Sequence, residues 1–276
     1  MKKHWLTILL FTILIIGLSL VLYPTVANWW NSFNQSKVVA NYIEEVANLG
    51  NEEYDKLLED AAEYNKKIYS NPPQYHLNDA QQADYEKQLN ITDYGVMGYV
   101  EIPKIDVSLP VYHGTSNTVL QVAVGHIEWS SLPVGGENTH CVLSGHRGLP
   151  SARLFTDLDQ LIEGDIFTLC VLDEVFTYEV DQIRIVEPDE IDQLFIVEGQ
   201  DYCTLTTCTP YGINSHRMLV RGHRIENRSD NAVRVTADAV HIEPFVVAPF
   251  VAIPVLFVML LLLLIPKSTK NRRNLP

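Results

Sequence analysis

Basic side chains are in short supply. The 276-residue chain carries 20 lysines and arginines against 34 aspartates and glutamates. It therefore lacks the cationic surface that a phosphate backbone demands, and nucleic acid is excluded as a partner. Cysteine is scarcer, with four in all, and neither they nor the nine histidines show a CxxC or HxxxH spacing. No structural zinc site is expected, and neither a metal nor a cofactor is implied. Heptads, internal repeats and low-complexity tracts are missing. So is the regular alternation of strand and helix that a doubly wound sheet needs.

Long uncharged runs are present, one near each end. The run Trp5 to Leu22 has 18 residues, about 27 Å as a helix, which matches a bilayer's hydrocarbon core. Despite the small residues of "TVA" (Thr25 to Ala27) as a cleavage site, it is longer than a signal peptide's apolar region, so an anchor spanning residues 1–23 is expected. The second run, Phe245 to Ile265, has 21 residues. It contains Pro249 and Pro254, which spanning helices tolerate, and residues 266–276 form a basic tail. Lys2 and Lys3 flank one span, and Lys267, Lys270, Arg272 and Arg273 flank the other. The positive-inside rule then places both termini in the cytoplasm and everything between outside the cell membrane. Those six account for part of the 20 basic residues, leaving 14 against 34 acidic ones in the middle, a net charge of about −20.

Within 24–94 the spacing predicts amphipathic helices over Gln35 to Ser70. Apolar positions recur at Val38, Val39, Tyr42 and Val46, and again at Tyr54, Leu57, Leu58, Ala61 and Ala62. Pro72 and Pro73 end them. From Gly95 the texture changes to short β-rich runs, such as "GVMGYVEI", "NTHCVLSGH", "FTYEVDQIRIVE", "DYCTLTTC" and "RMLVRGHRI", punctuated by Gly, Pro, Asp and Asn. The fold class expected for 95–226 is mainly β, a closed or nearly closed barrel. A linker, 227–244, leads to the second span, 245–265.

The cysteines sort themselves by position. Cys141, Cys170 and Cys203 lie within β-runs and read as small buried hydrophobes. Cys203 and Cys208 are five apart, which on one strand points them to opposite faces. Cys208 ends its strand and is followed by "TPYG", at an edge that a substrate can reach. A nucleophilic thiol needs a proton acceptor or nearby positive charge. His146 in "VLSGHRG" and Arg217 in "NSHRMLVRG" could supply these if three strand ends meet at one mouth of the barrel. His140 is a rival base, while His126 and His216 read as structural.

"TLTTC", Thr204 to Cys208, is similar to the TLxTC signature of sortases, the cysteine transpeptidases of Gram-positive cell surfaces. The stretches "GVMGYVEIPKIDVSLPVYHGTS", "GHIEWSSLPVGGENTHCVLSGHRGLPSARLFTDLDQL" and "DYCTLTTCTPYGINSHRMLVRGHR" extend the resemblance over about Gly95 to Arg224. They resemble the class C, pilin-polymerising branch, and the helical extension and second span fit it. The resemblance implies a sortase-type barrel in which Cys208 attacks the Thr–Gly carbonyl of an LPxTG-like sorting signal. A thioester forms, and a lysine amine of another pilin subunit resolves it, building pili. His146 would be the general acid/base and Arg217 the oxyanion or positioning group. Thr206 and Thr207 beside the thiol read as strand packing. The alternatives are a housekeeping sortase that attaches proteins to peptidoglycan of the cell wall, a hydrolysing thiol protease, and a non-catalytic surface scaffold.

Class C sortases usually carry a lid with an Asp-Pro-aromatic triplet. In the corresponding segment here Asp79 is followed by Ala80 and Gln81. Either Tyr75 or Tyr85 then replaces the aromatic, or the site is more open, and removing 71–91 is expected to change the acylation rate only slightly.

Overall fold

The computed structural model describes residues 5–70, 77–92 and 94–227. The second apolar run, the basic tail, most of the linker and Tyr75 lie outside them. Helix α1 runs unbroken from Trp5 to Asn48 with Pro24 inside it. The anchor and the start of the extension are thus one helix rather than two segments, and it is long and apolar enough to cross a membrane. The described residues from Ala27 onward belong to one compact unit. A break at Leu49 and Gly50 separates α1 from α2, Asn51–Ser70.

These helices pack on the β domain through the faces their spacing predicts. Val39, Tyr42, Val46 and Ala61 are buried, with Val38, Tyr54, Leu57 and Leu58 packed against the same core. Ala62 is the exception and is exposed; the buried stripe continues instead through Tyr64 and Asn65. Polar atoms on this face are matched. The Tyr42 hydroxyl donates to the Met97 carbonyl at 3.1 Å and accepts from the Leu172 amide at 2.7 Å. The Asn65 amide group pairs with both backbone groups of Leu132, at 3.1 and 2.7 Å. Helix α3, Asp79–Tyr85, begins with a capping box in which Asn78 and Gln81 satisfy each other's backbone amides, a local reason for a helix to start there.

Eight strands close a barrel: β1 (Val96–Ile102), β2 (Val107–His113), β3 (Val124–His126), β4 (Thr139–Ser144), β5 (Ile166–Val171), β6 (Glu174–Val186), β7 (Asp201–Thr209) and β8 (His216–Ile225). Their order around it is β1-β2-β3-β4-β7-β8-β6-β5, the closed, mainly β architecture expected. Two neighbour pairs, β2 with β3 and β4 with β7, are parallel. The parallel pairing of β4 with β7 makes both strands end at the same side, and their ends carry the site.

Alternation divides β4, β6 and β8 between two cores. Cys141, Leu143, Cys203 and Leu205 join the main core with Val100, Phe167, Tyr178 and Val220. On the opposite face Val142, Val186, Leu194 and Leu219 form a second, smaller apolar cluster, backed by Ile127, Trp129 and Ile191. Polar residues expected to be structural are so. The His126 ring is fully buried, with Nδ1 accepting from the Tyr85 hydroxyl at 2.9 Å and Nε2 directed to the Ser131 carbonyl at 2.8 Å.

Candidate active site

The register settles where the three singled-out residues stand. On β8, Arg217 is the direct partner of Cys208 on β7. On the other side of β7, the parallel ladder with β4 pairs Ser144 with Thr206, and the Gly145 amide extends it by donating to the Thr206 carbonyl at 3.1 Å. Two residues beyond Ser144 and Thr206 come His146 and Cys208. Cys208 and Arg217 therefore share a rung, and His146 follows directly on the neighbouring end of β4, at the same end of the barrel. Cys208 points to the face opposite Cys203, as their odd spacing requires, and toward the smaller apolar cluster. Its thiol is half-buried and free.

Each member is held by its neighbours. The Thr207 hydroxyl, on the core face, donates to the Gly145 carbonyl at 2.7 Å. The His146 carbonyl accepts from the Phe155 amide at 3.2 Å. Arg147 ties the loop to β7, donating to the Thr209 hydroxyl at 3.4 Å while its other terminal nitrogen pairs with Asp159. Arg217 donates to the backbone carbonyls of Asn214 and His216, at 3.4 and 3.1 Å. Among the described residues no carboxylate pairs with it, whereas Arg221 is bound by both oxygens of Asp181. A guanidinium kept free of carboxylates beside a thiol retains its charge for an incoming anion.

Burial holds the His146 imidazole below its ordinary range, so near neutral pH it is chiefly the free base. The rival base, His140, is committed elsewhere. Its ring is buried, with Nδ1 donating to the Phe195 carbonyl at 2.9 Å and Nε2 accepting from the Thr204 hydroxyl at 2.7 Å. Burial lowers it to about 4. In the unfolded chain it titrates near 6.5, so the unfolded state binds the extra proton across that window. Stability is complete above pH 6.5 and falls as pH drops toward 4, by an amount on the order of 3 kcal/mol. Denaturant melts between pH 4 and 7 check this, and a His140→Gln variant should flatten the slope. His216 lies beside Arg217 but bonds to Ser215 and Glu187, at 2.8 and 3.2 Å.

The lid residues fall differently from expectation. Asp79 is exposed in the first turn of α3. Tyr85 is fully buried. Its hydroxyl accepts from the Gly114 amide at 2.9 Å and its ring stacks on His126 and meets His113 edge-on. It is a core residue under β2 and β3 rather than an aromatic laid over the thiol. Removing 71–91 would therefore take Tyr85 and Leu89 out of the core, and the deletion perturbs folding instead of reporting on a lid.

Sequence reading overlooked Gly145. A Cβ there would lie 2.6 Å from the Phe155 ring, closer than packed atoms allow, and Phe155 is itself fully buried. The expected result of Gly145→Ala is a displaced His146 loop and a 10- to 100-fold fall in acylation rate, roughly what a misplacement of about 1 Å costs. Steady-state rates with matched melting curves would show whether the loss exceeds the destabilisation.

The comparisons with known proteins bear on the family and the fold. A family model, the sortase domain, matches residues 100–225. Sortase D of Bacillus subtilis is 34% identical over 131 residues, covering 46% of this chain and 63% of that relative. Among solved structures, sortase C1 of Streptococcus agalactiae is 52% identical with a TM-score of 0.68, covering 70% of this chain and all of that one. Sortase C of Streptococcus pneumoniae, a structure described in terms of catalysis and pilin substrate specificity, is 45% identical with a TM-score of 0.63, over 69% of this chain and 97% of that one. With its barrel, the matching domain model and a sortase C structure covered end to end, the chain belongs to the sortase family, on its class C branch.

Proposed function

We propose that the chain is a membrane-anchored cysteine transpeptidase that cleaves an LPxTG-like sorting signal between Thr and Gly and joins the acyl group to a lysine amine of another pilin subunit. The observation that carries this is the Cys208–Arg217 rung with His146 two residues past the neighbouring end of β4. Cys208 Sγ adds to the Thr carbonyl while His146 takes up the thiol proton. Charge collects on the carbonyl oxygen, and the Arg217 guanidinium, without a competing carboxylate, stabilises it. His146 then protonates the departing Gly amine, leaving a thioester on Cys208. An unprotonated lysine attacks that thioester, His146 removes the excess proton, and an isopeptide bond forms as the thiol is released.

A cavity of about 450 Å³ lies one strand beyond Arg217, lined by Arg184, Val186, Glu190 and Gln193. Val186 is the β6 partner of Arg217, so an extended peptide crossing the rung has room to continue there. Helix α1 would hold the domain at the membrane, with both termini in the cytoplasm and the barrel outside. The pilin assignment draws on the Streptococcus pneumoniae sortase C, whose structure concerns pilin substrates.

The test incubates the protein with an LPxTG peptide, first alone and then with a pilin domain or a peptidoglycan stem peptide as amine donor, and follows products by intact mass. A thioester adduct followed by an isopeptide to the pilin lysine supports the proposal. Transfer only to the stem peptide identifies a housekeeping enzyme, and release of free acid alone identifies a protease.

A further inference from the structure

The four cysteines allow six pairings, and the fold brings one of them together. Cys141 and Cys203 are direct partners on the parallel β4–β7 ladder, on the face that builds the main core. Adjacent strands run about 4.8 Å apart, inside the 4.4–6.8 Å Cα separation that a disulfide spans. Both are free, buried thiols. Cys170 sits on β5, opposite Tyr99 and Val175, and Cys208 faces the other way. Neither competes for the pair.

We propose that Cys141 and Cys203 are a disulfide-forming pair that, once oxidised, clamps together the two strands that carry His146 and Cys208. The second half of that statement rests on the functional reading above; the first does not. The geometry behind it is simple: Cys141 lies five residues before His146, and Cys203 five residues before Cys208. A bond at the Cys141–Cys203 rung fixes the parallel β4–β7 register, just past the end of which His146 and Cys208 lie. It does so from the core side, leaving the Cys208 thiol untouched on the opposite face.

The chemistry is thiol–disulfide exchange with an external disulfide carrier, either a small disulfide or a disulfide oxidoreductase. The Cys141 thiolate attacks one sulfur of the carrier's disulfide, giving a mixed disulfide and a released carrier thiol. Cys203, as thiolate, then attacks the Cys141 sulfur and expels the second carrier thiol. Two S–H bonds are lost and one S–S bond forms, and the two electrons and two protons end on the carrier's dithiol. Because both cysteines are buried in the finished barrel, exchange takes place while β4 and β7 are still closing, and the finished bond is shielded from later reduction.

The experiment is cell-free synthesis of the full chain into lipid nanodiscs, once with oxidised glutathione and a disulfide isomerase and once with reductant. Unfolding in excess N-ethylmaleimide, intact mass and peptide mapping follow. Expected under oxidising synthesis are two alkylated cysteines instead of four, a crosslinked peptide joining Cys141 to Cys203, and a melting temperature raised on the order of 10 °C. Four alkylated cysteines under every oxidising ratio, or a crosslink to Cys170 or Cys208, would overturn the proposal. Acylation by an LPxTG peptide is measured on both preparations. A chain that crosslinks as expected and never acylates would refute the transpeptidase reading while leaving the disulfide intact.

Discussion

Replacing Cys208 with alanine is expected to abolish the acyl-enzyme and bring transpeptidation to background, a loss of at least about 10⁴-fold, while the domain melts as before. Both halves of the expectation come from position. Cys208 is half-buried near the end of β7, so the lost sulfur leaves no cavity in either apolar cluster, and surface changes of this kind stay within about 0.5 kcal/mol. No other thiol can stand in, because Cys141, Cys170 and Cys203 are buried. The same site ranks the neighbours. His146→Ala should cost about 10²- to 10⁴-fold, the usual range for a general acid/base. Arg217→Ala should cost about 10²- to 10³-fold, as for a lost oxyanion donor, and Arg217→Lys should recover only part, since an ammonium lacks the planar fork. Time courses of thioester formation by intact mass, paired with thermal melts, read both axes. Persisting adduct in Cys208→Ala would end the proposed mechanism, because a different nucleophile would then carry the acyl group.

Local patterns carried much of this. Strand punctuation from Gly95 onward announced the barrel, and the helical spacing at Val39, Tyr42 and Val46 announced the face that packs on it. The position of Cys208 at a strand end, and its orientation opposite Cys203, followed from a period of two. Pairing between distant strands did not follow, because register is decided by long-range contacts that leave little mark on either strand alone. Spacing could offer His146 and His140 as bases, but only the fold shows His140 enclosed by Phe195 and Thr204. For the same reason Cys141 and Cys203 read as separate core fillers, although β4 and β7 set them side by side. Gly145 looked like ordinary turn punctuation; its reason is the Phe155 ring ten residues on. The polar segment around α3 misled in the opposite direction. The mixed polarity that follows two prolines suggested a lid, while one tyrosine within it is sealed in the core.

That tyrosine supplies a second large effect. Tyr85→Ala is expected to destabilise the domain by about 3–5 kcal/mol, the range for emptying a buried aromatic site, and to leave the acylation rate per folded molecule within about twofold. The loss has three sources. The ring fills space beside His126 and His113. Its hydroxyl answers the Gly114 amide, which would otherwise be a buried donor without an acceptor. It also donates to His126 Nδ1, and thereby helps orient the imidazole that reaches Ser131. Tyr85→Phe separates these contributions, since it keeps the ring and removes only the hydroxyl, at a cost of about 1–3 kcal/mol for the groups left unpaired. Denaturant melts give the stabilities, and initial acylation rates scaled by the folded fraction give the activity. A lid residue would behave in reverse, with stability nearly unchanged and acylation raised severalfold by the opened site. That outcome would return Tyr85 to the role of the missing aromatic and require the α3 segment to leave the core during turnover. The fold argues against it, because release of Tyr85 would strip β2 and β3 of the side chain that joins Gly114 to His126.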